Sequence, residues 1–344
     1  MTKKKSISKI KKWIILFLIS LSIALVIRLI LFQSFTVSTT SMEGSLKQGD
    51  CIFINKLGFG ARMPITLLSS PFSDNYVEWL QLPYIRIPGF SGIKHNDVLL
   101  FNYPSENDCP IDKKTKYIKR CVGLPGETIE IENNIIIINS KEINNPKELQ
   151  FTYRVIPNDE KLSSDFVVKY DISEGRIITD GIYDFELTTK TAEEIANDSK
   201  IKSVKILRKL TVENKYLIFP QNRKFRWNIY NIGPIKIPKK GMSIQLDSEN
   251  IYLYQRIIEK YEGNTLQILD DNSILINGQK ATQYNFKQNY YFVLDDNRDT
   301  GKDSRYWGFL PEDHIIGKAS FIWFSINKNK SGNTRWNRIL KSIE

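Results

Sequence analysis

The chain has 344 residues and a formal net charge of +11, with 41% hydrophobic, 12% aromatic and 25% charged residues. This composition is typical of a folded protein with a full core and excludes an extensively disordered chain. Six of the positive charges lie among the first twelve residues, and the rest of the chain mixes both signs. Because the charge is concentrated at one end rather than along a surface, no nucleic-acid partner is expected.

The N-terminus predicts a membrane anchor. A basic tail at 1–12 precedes an apolar run at 13–32, which only Ser20, Ser22 and Arg28 interrupt. As a helix this run spans about 30 Å, the thickness of one hydrocarbon core. A cleaved signal peptide is the alternative, but no small-x-small site follows Phe32. By the positive-inside rule, the tail is expected in the cytoplasm and the rest of the chain outside it.

The residues after the apolar run favour a mainly β fold. Short β-branched or aromatic segments bounded by turn residues predict strands in SFTVST, CIFINKL, DVLLFNY, TIEIENNIIIIN, DFVVKYDI, GRIITD, LQILDDNSILING and NYYFVL. Helical patterns are few. One lies near Thr191, and another lies in the basic amphipathic segment 326–344, for which a core-packed helix and an interfacial helix both remain open.

A repeated pattern suggests how the chain is divided. Residues 126–143 and 263–281 share a Gly-x-Thr, strand, Asn/Asp turn, strand sequence and predict two similar hairpins. The stretch 144–262 between them is therefore expected to be an inserted accessory β subdomain. The main domain would then combine 33–143 with 263–325.

A second insertion, at about 58–90, is rich in large apolar residues and prolines. It is expected either to pack on the core as a loop or to form an aromatic surface at the bilayer interface. The residues concerned are Tyr76, Trp79, Leu80, Leu82, Tyr84, Ile85, Ile87 and Phe90.

The cysteines and histidines give no sign of a metal or cofactor. Cys51, Cys109 and Cys121 lack zinc-ligand spacing, although Cys109 and Cys121 could pair in an oxidising compartment. His95 and His314 are the only histidines, and neither lies in a motif of a Ser-His-Asp triad, so both are expected to be surface or packing residues.

Three motifs follow the apolar run in a fixed order. They are SMEGSLKQGD with Ser41, TKYIKRCVGLPGE with Lys119, and LDDNRDTGKDSRYWGFLPEDHIIGKA near the C-terminus. Together they resemble the serine, lysine and Gly-Asp-Asn-Arg boxes of type I signal peptidases, over residues 1–57, about 91–143 and 263–325. The resemblance implies a signal-peptidase-like antiparallel β-sheet catalytic domain with a β-rich inserted subdomain, preceded by one transmembrane helix.

The resemblance implies that Ser41 is a nucleophile and Lys119 its general base. A serine hydroxyl needs an adjacent base, and with no suitable histidine a lysine must serve. A free lysine has a pKa near 10.4, so service near pH 7.5 requires a fall of about 3 units, roughly 4 kcal/mol, through desolvation. The expected apolar surroundings are Tyr117, Ile118, Cys121 and Val122.

Other roles follow from the same resemblance. Thr39 would help the Ser41 backbone N–H to hold the oxyanion, unless it is a plain surface threonine of a strand. Substrate would add as a strand to Phe35–Ser38 and to Val98–Phe101. Phe35, Val37, Leu100 and Ile118 would line shallow pockets for small side chains, or would be core residues. Structural support is expected from Asn297, Arg298, Asp299, Asp303 and Arg305.

The implied protein is a membrane-bound serine endopeptidase that removes signal peptides from exported preproteins. Its partners would be preproteins with small residues at positions −1 and −3 of the cleavage site, and membrane lipid. It would be a single-pass protein of the bacterial cytoplasmic membrane, with its catalytic domain on the outer face.

Three positions depart from the family pattern. Gly44 replaces a proline, Asp295 replaces a glycine, and Gly301 replaces the serine that bonds the catalytic lysine. A carboxylate beside the lysine would favour the charged ammonium, so either Asp295 points away or activity is impaired. Thr300 could supply the missing hydroxyl. A weakly active or inactive preprotein-binding member is therefore the alternative. A nonenzymatic envelope scaffold and a self-cleaving repressor fit less well, because three ordered boxes are present and DNA-binding helices are absent from the pattern.

Overall fold

The computed structural model describes residues 2–66, 76–158, 161–179, 181–207, 218–271, 273–327 and 332–343. The helices are α1 (Thr2–Ile30), α2 (Ser164–Lys169), α3 (Thr189–Ala196), α4 (Ile251–Arg256) and α5 (Ser304–Trp307). Within α1, Lys9–Arg28 is long and apolar enough to cross a membrane, and none of this stretch is buried in the protein. The expected N-terminal apolar helix is thus confirmed, although it ends at Ile30 because Phe32 begins a strand.

Strands make up most of the remaining regular structure, which confirms the predicted mainly β fold. In chain order they are β1 (Phe32–Thr36), β2 (Asp50–Asn55), β3 (Val98–Asn102), β4 (Lys116–Gly123), β5 (Thr128–Glu132), β6 (Ile135–Ile138), β7 (Lys141–Glu142), β8 (Gln150–Pro157), β9 (Gly175–Thr179), β10 (Ile182–Thr188), β11 (Ile201–Ile206), β12 (Ile232–Lys236), β13 (Ser243–Gln245), β14 (Leu266–Ile268), β15 (Ile274–Ile276), β16 (Gln279–Lys280), β17 (Gln283–Asn285), β18 (Tyr290–Leu294), β19 (Leu310–Pro311), β20 (Ile315–Asn327) and β21 (Asn333–Thr334).

The largest sheet positions the candidate site. Its order is β1-β2-β20-β3-β4-β18-β19, with antiparallel pairing and β21 added to β20. All five residues of β3 are buried, because both faces of the sheet are covered. Alternate side chains of a strand point to opposite faces, so Val98 and Leu100 enter one apolar cluster while Leu99 and Phe101 enter another.

The two predicted hairpins are present. Strand β5 pairs with β6, and β14 pairs with β15, each followed by a short third strand. The β5–β6 turn at Asn133 and Asn134 has positive φ at both residues, which asparagine tolerates better than most residues. Both hairpins contribute to the largest apolar cluster of the molecule.

The stretch 144–262 does not form one subdomain. Residues 150–206 have their own four-stranded sheet, β11-β8-β10-β9, and their own apolar cluster with α2 and α3. Residues 218–258 instead bury their apolar side chains against the two hairpins. The stretch is divided because its second half completes the core under the hairpins. We refer to 150–206 as the accessory sheet.

Two local predictions were wrong. The segment DFVVKYDI contains helix α2 rather than a strand, because Phe166 and Tyr170 pack one helical turn apart, with ring centroids 4.8 Å apart. The C-terminal segment, in the residues described, forms β21 and a single 3₁₀ turn, Trp336–Arg338, rather than an amphipathic helix. Arg338 is drawn into a buried ion pair with Asp50, with 2.6 Å between Nη2 and Oδ2.

The aromatic insertion is anchored by arginines and exposes its apolar side chains. Arg86 donates to the Gly60 carbonyl (2.6 Å) and lies 4.5 Å above the Phe59 ring, while Arg62 donates to Asn102 (2.6 Å). The exposed side chains, which we call the aromatic patch, are Trp79, Leu82, Tyr84, Ile85, Ile87 and Phe90, with Trp79 83% and Phe90 87% exposed. Tyr76 and Leu80 are half-buried, and 67–75 lie outside the described residues.

Candidate active site

Ser41 lies in the loop between β1 and β2, which we call the serine loop. This loop is closed at its base, where the Val37 N–H donates to the Asp50 carbonyl (2.8 Å) and the Gly49 N–H donates to the Val37 carbonyl (2.9 Å). Met42 is fully buried in the apolar cluster beneath the loop. Burial of the next residue along therefore fixes the half-buried Ser41 at the surface of the sheet.

Lys119 reaches the serine from β4. Its side chain is almost entirely buried, and Nζ lies 3.4 Å from Ser41 Oγ and 5.5 Å from the centre of the Tyr117 ring. Thr39, which is exposed, has its Oγ1 3.5 Å from Ser41 Oγ. The structure thus brings together the three residues expected to be catalytic.

Asp295 points towards the lysine. Its Oδ1 accepts a hydrogen bond from Lys119 Nζ, and its side chain is fully buried. Burial raises the pKa of the Asp295 carboxyl to about 6, although Lys119 acts to lower it. Of the two expectations for this residue, the one in which it points away is therefore wrong. Thr300 is exposed and does not take the place of the missing serine hydroxyl.

Beneath the lysine, Asp303 and Arg305 form a buried bidentate ion pair. Arg305 Nε donates to Oδ1 (2.9 Å) and Nη2 to Oδ2 (2.8 Å). Asp303 Oδ2 also accepts the backbone N–H of Asp295 (3.0 Å). Arg305 lowers the pKa of the Asp303 carboxyl, in opposition to burial, and the pair holds Asp295 in place through its backbone.

The turn at Asn297, Arg298 and Asp299 connects the serine loop with the accessory sheet. The Asn297 N–H donates to the Ser41 carbonyl (3.0 Å), and Asp299 accepts the backbone N–H of Thr152 (2.7 Å). Arg298 is buried, which lowers the pKa of its guanidinium to about 10, and its N–H donates to the Gln150 carbonyl (3.0 Å).

Sequence reasoning missed a second buried ion pair beside the site. Arg120 Nε donates to Asp296 Oδ1 (2.7 Å), and Ser45 Oγ donates to Asp296 Oδ2 (2.5 Å). Ser45, Arg120 and Asp296 each lie in a different one of the three motifs, so these bonds join the serine loop to the other two motifs. The motifs were therefore the sequence signal that could have indicated this ion pair.

The accessory sheet contacts the serine loop directly, and no motif predicted this. Glu174, just before β9, accepts a hydrogen bond from Thr40, the residue before the serine, and another from Asn297 Nδ2 (3.3 Å). Asp171 forms an ion pair with Lys47 of the same loop.

At Gly44 an added Cβ would lie 2.7 Å from the carbonyl carbon of Glu148 and closer still to its oxygen. The absence of a side chain at Gly44 therefore allows the main chain at Glu148 to approach the loop that carries Ser41.

The four residues expected to line pockets share one apolar cluster beside the serine loop. Val37, Leu100 and Ile118 are buried within it, and Phe35 packs at its edge. The structure therefore places them together, with three of the four in the core.

The strand edges correct part of the expected substrate contact. Strand β3 pairs on one side with β20 and on the other with β4, so Val98–Phe101 has no free edge and this expectation was wrong. Strand β1 is an edge strand. Strand β18 pairs with β4 only along Arg120–Gly123, and no other described strand pairs with Lys116–Lys119 on that side.

Both histidines have partners other than the serine. His95 Nε2 lies 2.8 Å from Glu127, and the buried His314 has its Nδ1 2.6 Å from Asp313 and its Nε2 3.2 Å from Lys114. Burial lowers the pKa of His314. Cys51, Cys109 and Cys121 are free thiols, and no group of three or more His, Cys, Asp or Glu among the described residues could hold a metal ion.

Comparison with known proteins assigns the family. The family model for "Signal peptidase, peptidase S26" matches residues 10–224 and 235–324. The chain belongs to the peptidase S26 signal peptidase family. It is 26% identical over 315 residues to the signal peptidase I of Buchnera aphidicola subsp. Baizongia pistaciae, covering 90% of this chain and 75% of that protein. It is 22% identical over 341 residues to the signal peptidase I of Helicobacter pylori J99, covering 94% and 89%.

Among solved structures, a signal peptidase I from Enterococcus faecalis V583 matches 67% of this chain and 98% of its own, with 16% identity and a TM-score of 0.24. The three motifs that carry the peptidase S26 resemblance lie within the residues matched by the family model. In the structure they meet around Ser41 and Lys119.

Proposed function

We propose that this chain is a membrane-bound serine endopeptidase that removes signal peptides from exported preproteins, with Ser41 as nucleophile and Lys119 as general base. The observation that carries the proposal is the 3.4 Å separation of Ser41 Oγ and Lys119 Nζ, in a chain of the peptidase S26 family. The lysine is buried and the serine is accessible, as a base and a nucleophile require.

The reaction follows from this geometry. Lys119, as a neutral amine, accepts the Ser41 proton while Oγ attacks the carbonyl carbon of the scissile bond. The Ser41 N–H and the Thr39 hydroxyl donate to the resulting oxyanion. When the C–N bond breaks, the Lys119 ammonium returns its proton to the leaving amine. Water, deprotonated in turn by Lys119, then hydrolyses the ester on Ser41.

Substrate is bound between two strand edges that end at the dyad. Strand β1 leads to Thr39 and Ser41, and Lys116–Lys119 of β4 ends at the base; both offer unpaired backbone groups to an extended peptide. Phe35, Val37, Leu100 and Ile118 form the apolar floor between them. Because this floor is closely packed, only small side chains at positions −1 and −3 are accommodated.

The enzyme is held at the outer face of the bacterial cytoplasmic membrane. Helix α1 supplies a single span, and the lysines of the tail keep its N-terminus in the cytoplasm. The aromatic patch adds a second contact with lipid, since Trp and Tyr favour the interface and Trp79 and Tyr84 are exposed.

A second candidate is a weakly active or inactive member that binds preproteins without efficient cleavage. The observation in its favour is the hydrogen bond from Lys119 to Asp295, because a carboxylate stabilises the charged lysine and so opposes its action as a base.

Cleavage of a preprotein by the full-length protein in proteoliposomes separates these candidates. The substrate carries alanine at −1 and −3, and the product is identified by N-terminal sequencing. We expect the wild type to cleave, and Ser41→Ala and Lys119→Ala to lose roughly 10³-fold or more in kcat/KM. The exposed residues Ser163 and Lys141 provide matched controls, Ser163→Ala and Lys141→Ala, with wild-type rates. Equal cleavage by all variants would refute the dyad, and binding without cleavage would support the second candidate.

A further inference from the structure

The Asp295 side chain fills the space that a side chain at position 301 would need. A Cβ at Gly301 would lie 2.7 Å from Asp295 Cγ, and closer still to its Cβ and Oδ2. The backbone of Gly301 is outside the left-handed region, so a side chain is excluded there by the Asp295 carboxylate rather than by backbone strain. The two departures from the family pattern are therefore one structural feature.

The carboxylate also makes the contact with the lysine. Asp295 Oδ1 accepts a hydrogen bond from Lys119 Nζ, and both side chains are almost fully buried. The Asp295 N–H is held by Asp303, and the Gly301 N–H donates to the Asn297 carbonyl (3.2 Å). Both ends of the turn that joins residues 295 and 301 are thus fixed, which leaves the carboxylate little freedom to turn away.

We propose, on the basis of the protease function above, that Asp295 is the positioning residue of Lys119 in this chain. We further propose that Asp295 and Gly301 compensate for each other as a paired replacement of the family pattern's glycine and serine, which we call the exchange. The carboxylate takes the volume and the lysine contact that the family pattern gives to a serine at position 301 opposite a glycine at position 295. Neither substitution is tolerated alone, because one removes the contact and the other places two side chains in one volume.

The charge of Asp295 beside the lysine is expected to affect the pH dependence of cleavage. Besides Asp295, the charged or titratable groups that the described residues place near Lys119 include the half-buried Tyr117 on the same strand and the Asp303–Arg305 ion pair below. A carboxylate in hydrogen-bond contact favours the ammonium form of the lysine, which is inactive as a base. Cleavage therefore begins at a higher pH than it would with a neutral hydroxyl in the same place.

A double-mutant cycle on the full-length protein tests this. Asp295→Gly is expected to lower kcat about 10–100-fold through loss of orientation. It should also move the acidic limb of the pH profile of kcat/KM down by about one pH unit or more, through loss of the charge. Gly301→Ser alone should lose most activity and lower Tm, whereas Gly92→Ser, which has open space, should do neither.

The double variant Asp295→Gly with Gly301→Ser should recover kcat to within about tenfold of wild type, with the acidic limb kept at the lower pH. Asp295→Asn serves as a second variant if the glycine variant fails to fold. Its amide keeps the shape without the charge, so the limb should again move to lower pH. A merely structural role for Asp295 would not move the limb.

Two results would overturn the exchange. One is an acidic limb that stays at the wild-type pH in Asp295→Asn and Asp295→Gly; the other is a double variant no more active than the worse single variant. The protease function fails separately, if the wild type itself does not cleave or if Ser41→Ala cleaves equally. If the wild type cleaves and the effects of the two substitutions are additive, the exchange is refuted but the protease function is not.

Discussion

At the scale of single residues, Lys119 and Thr39 both lie within reach of the Ser41 hydroxyl and have different proposed tasks. Lys119 is buried and is the proposed base, whereas Thr39 is exposed and its hydroxyl is the proposed hydrogen-bond donor to the oxyanion. Removal of either is expected to slow the reaction, but through different steps.

Thr39→Ala should lower kcat about 10²-fold with little change in KM, because an oxyanion donor acts in the transition state rather than in the bound substrate. Thr39→Ser keeps the hydroxyl and should stay within a few fold of wild type. Steady-state cleavage of a preprotein measures both. If the alanine variant keeps the wild-type kcat, Thr39 is a surface threonine of the strand end.

The sequence predicted only part of this site. Ser41 and Lys119 follow from their boxes and Thr39 from its position two residues before the serine, and the three meet in space. The contacts of Arg120, Asp296 and Ser45 inside the motifs were missed, and so was Glu174 outside them. Glu174 contacts Thr40 from 134 residues away, in a segment whose pattern carries no motif. Contacts of this kind depend on how the accessory sheet docks, which local patterns do not encode.

At the scale of elements, the serine loop is supported from the side by the chain leading into β8. The Gln150 N–H donates to the Asp296 carbonyl (2.9 Å), and the Gln150 carbonyl accepts from Arg298. Gly44 makes this approach possible, since no Cβ fits beneath Glu148. The loop that carries the nucleophile and the accessory sheet are therefore coupled.

Gly44→Ala should destabilise the protein by about 1–3 kcal/mol, because the added methyl displaces the chain at Glu148. It should also lower kcat, since the displaced chain supports the turn that binds the Ser41 carbonyl. Thermal unfolding and preprotein cleavage are measured together. Gly92→Ala, at an exposed position with open space, is the control. A Gly44→Ala protein with wild-type Tm and rate would show that the two elements are independent.

Element types were predictable where the pattern was strong, and less so where packing decides. The hairpins and β18 follow their alternating sequences. Helix α2 does not follow its β-branched composition, because the Phe166 face is buried against the accessory sheet. Which edge of a strand is free depends on partners far along the chain, which is why the sequence predicts a substrate contact at β3, a strand with no free edge.

At the scale of the whole molecule, the sequence left open whether the insertion at 58–90 packs on the core or forms an aromatic surface. The structure shows that the side chains of the aromatic patch are exposed. Arg62 and Arg86 bind it to the core while its apolar side chains face outwards. An exposed apolar surface of this kind is typical of an interaction site, and the proposed membrane anchor would make the bilayer its nearest partner.

Trp79 should therefore lie within reach of lipid chains. In proteoliposomes containing brominated lipid, wild-type tryptophan fluorescence should be quenched, and Trp79→Phe should remove a measurable part of that quenching. Trp227, whose ring centroid lies 4.6 Å from that of Phe225 and which packs against the large apolar cluster, provides the control, and Trp227→Phe should leave the lipid-dependent quenching unchanged. Equal quenching in wild type and Trp79→Phe would place the patch away from the membrane.

The division of the molecule was harder to predict than its fold class. The β-rich composition and turn pattern indicated the sheets, but the stretch 144–262 shares its apolar residues between two clusters. Periodicity shows that a strand has a buried face and does not show which other segment covers it. The boundary of the accessory sheet thus became visible only in the packing.

The most direct test of the dyad is to trap the ester on Ser41. Full-length protein is mixed with a peptide carrying the cleavage region, quenched with acid within one turnover and analysed by intact-protein and peptide mass spectrometry. We expect a mass increase equal to the acyl part of the peptide, located on the peptide that contains Ser41, and none in Ser41→Ala or Lys119→Ala. An adduct on another residue, or continued cleavage by Ser41→Ala, would contradict the assignment of Ser41 as nucleophile and Lys119 as its base.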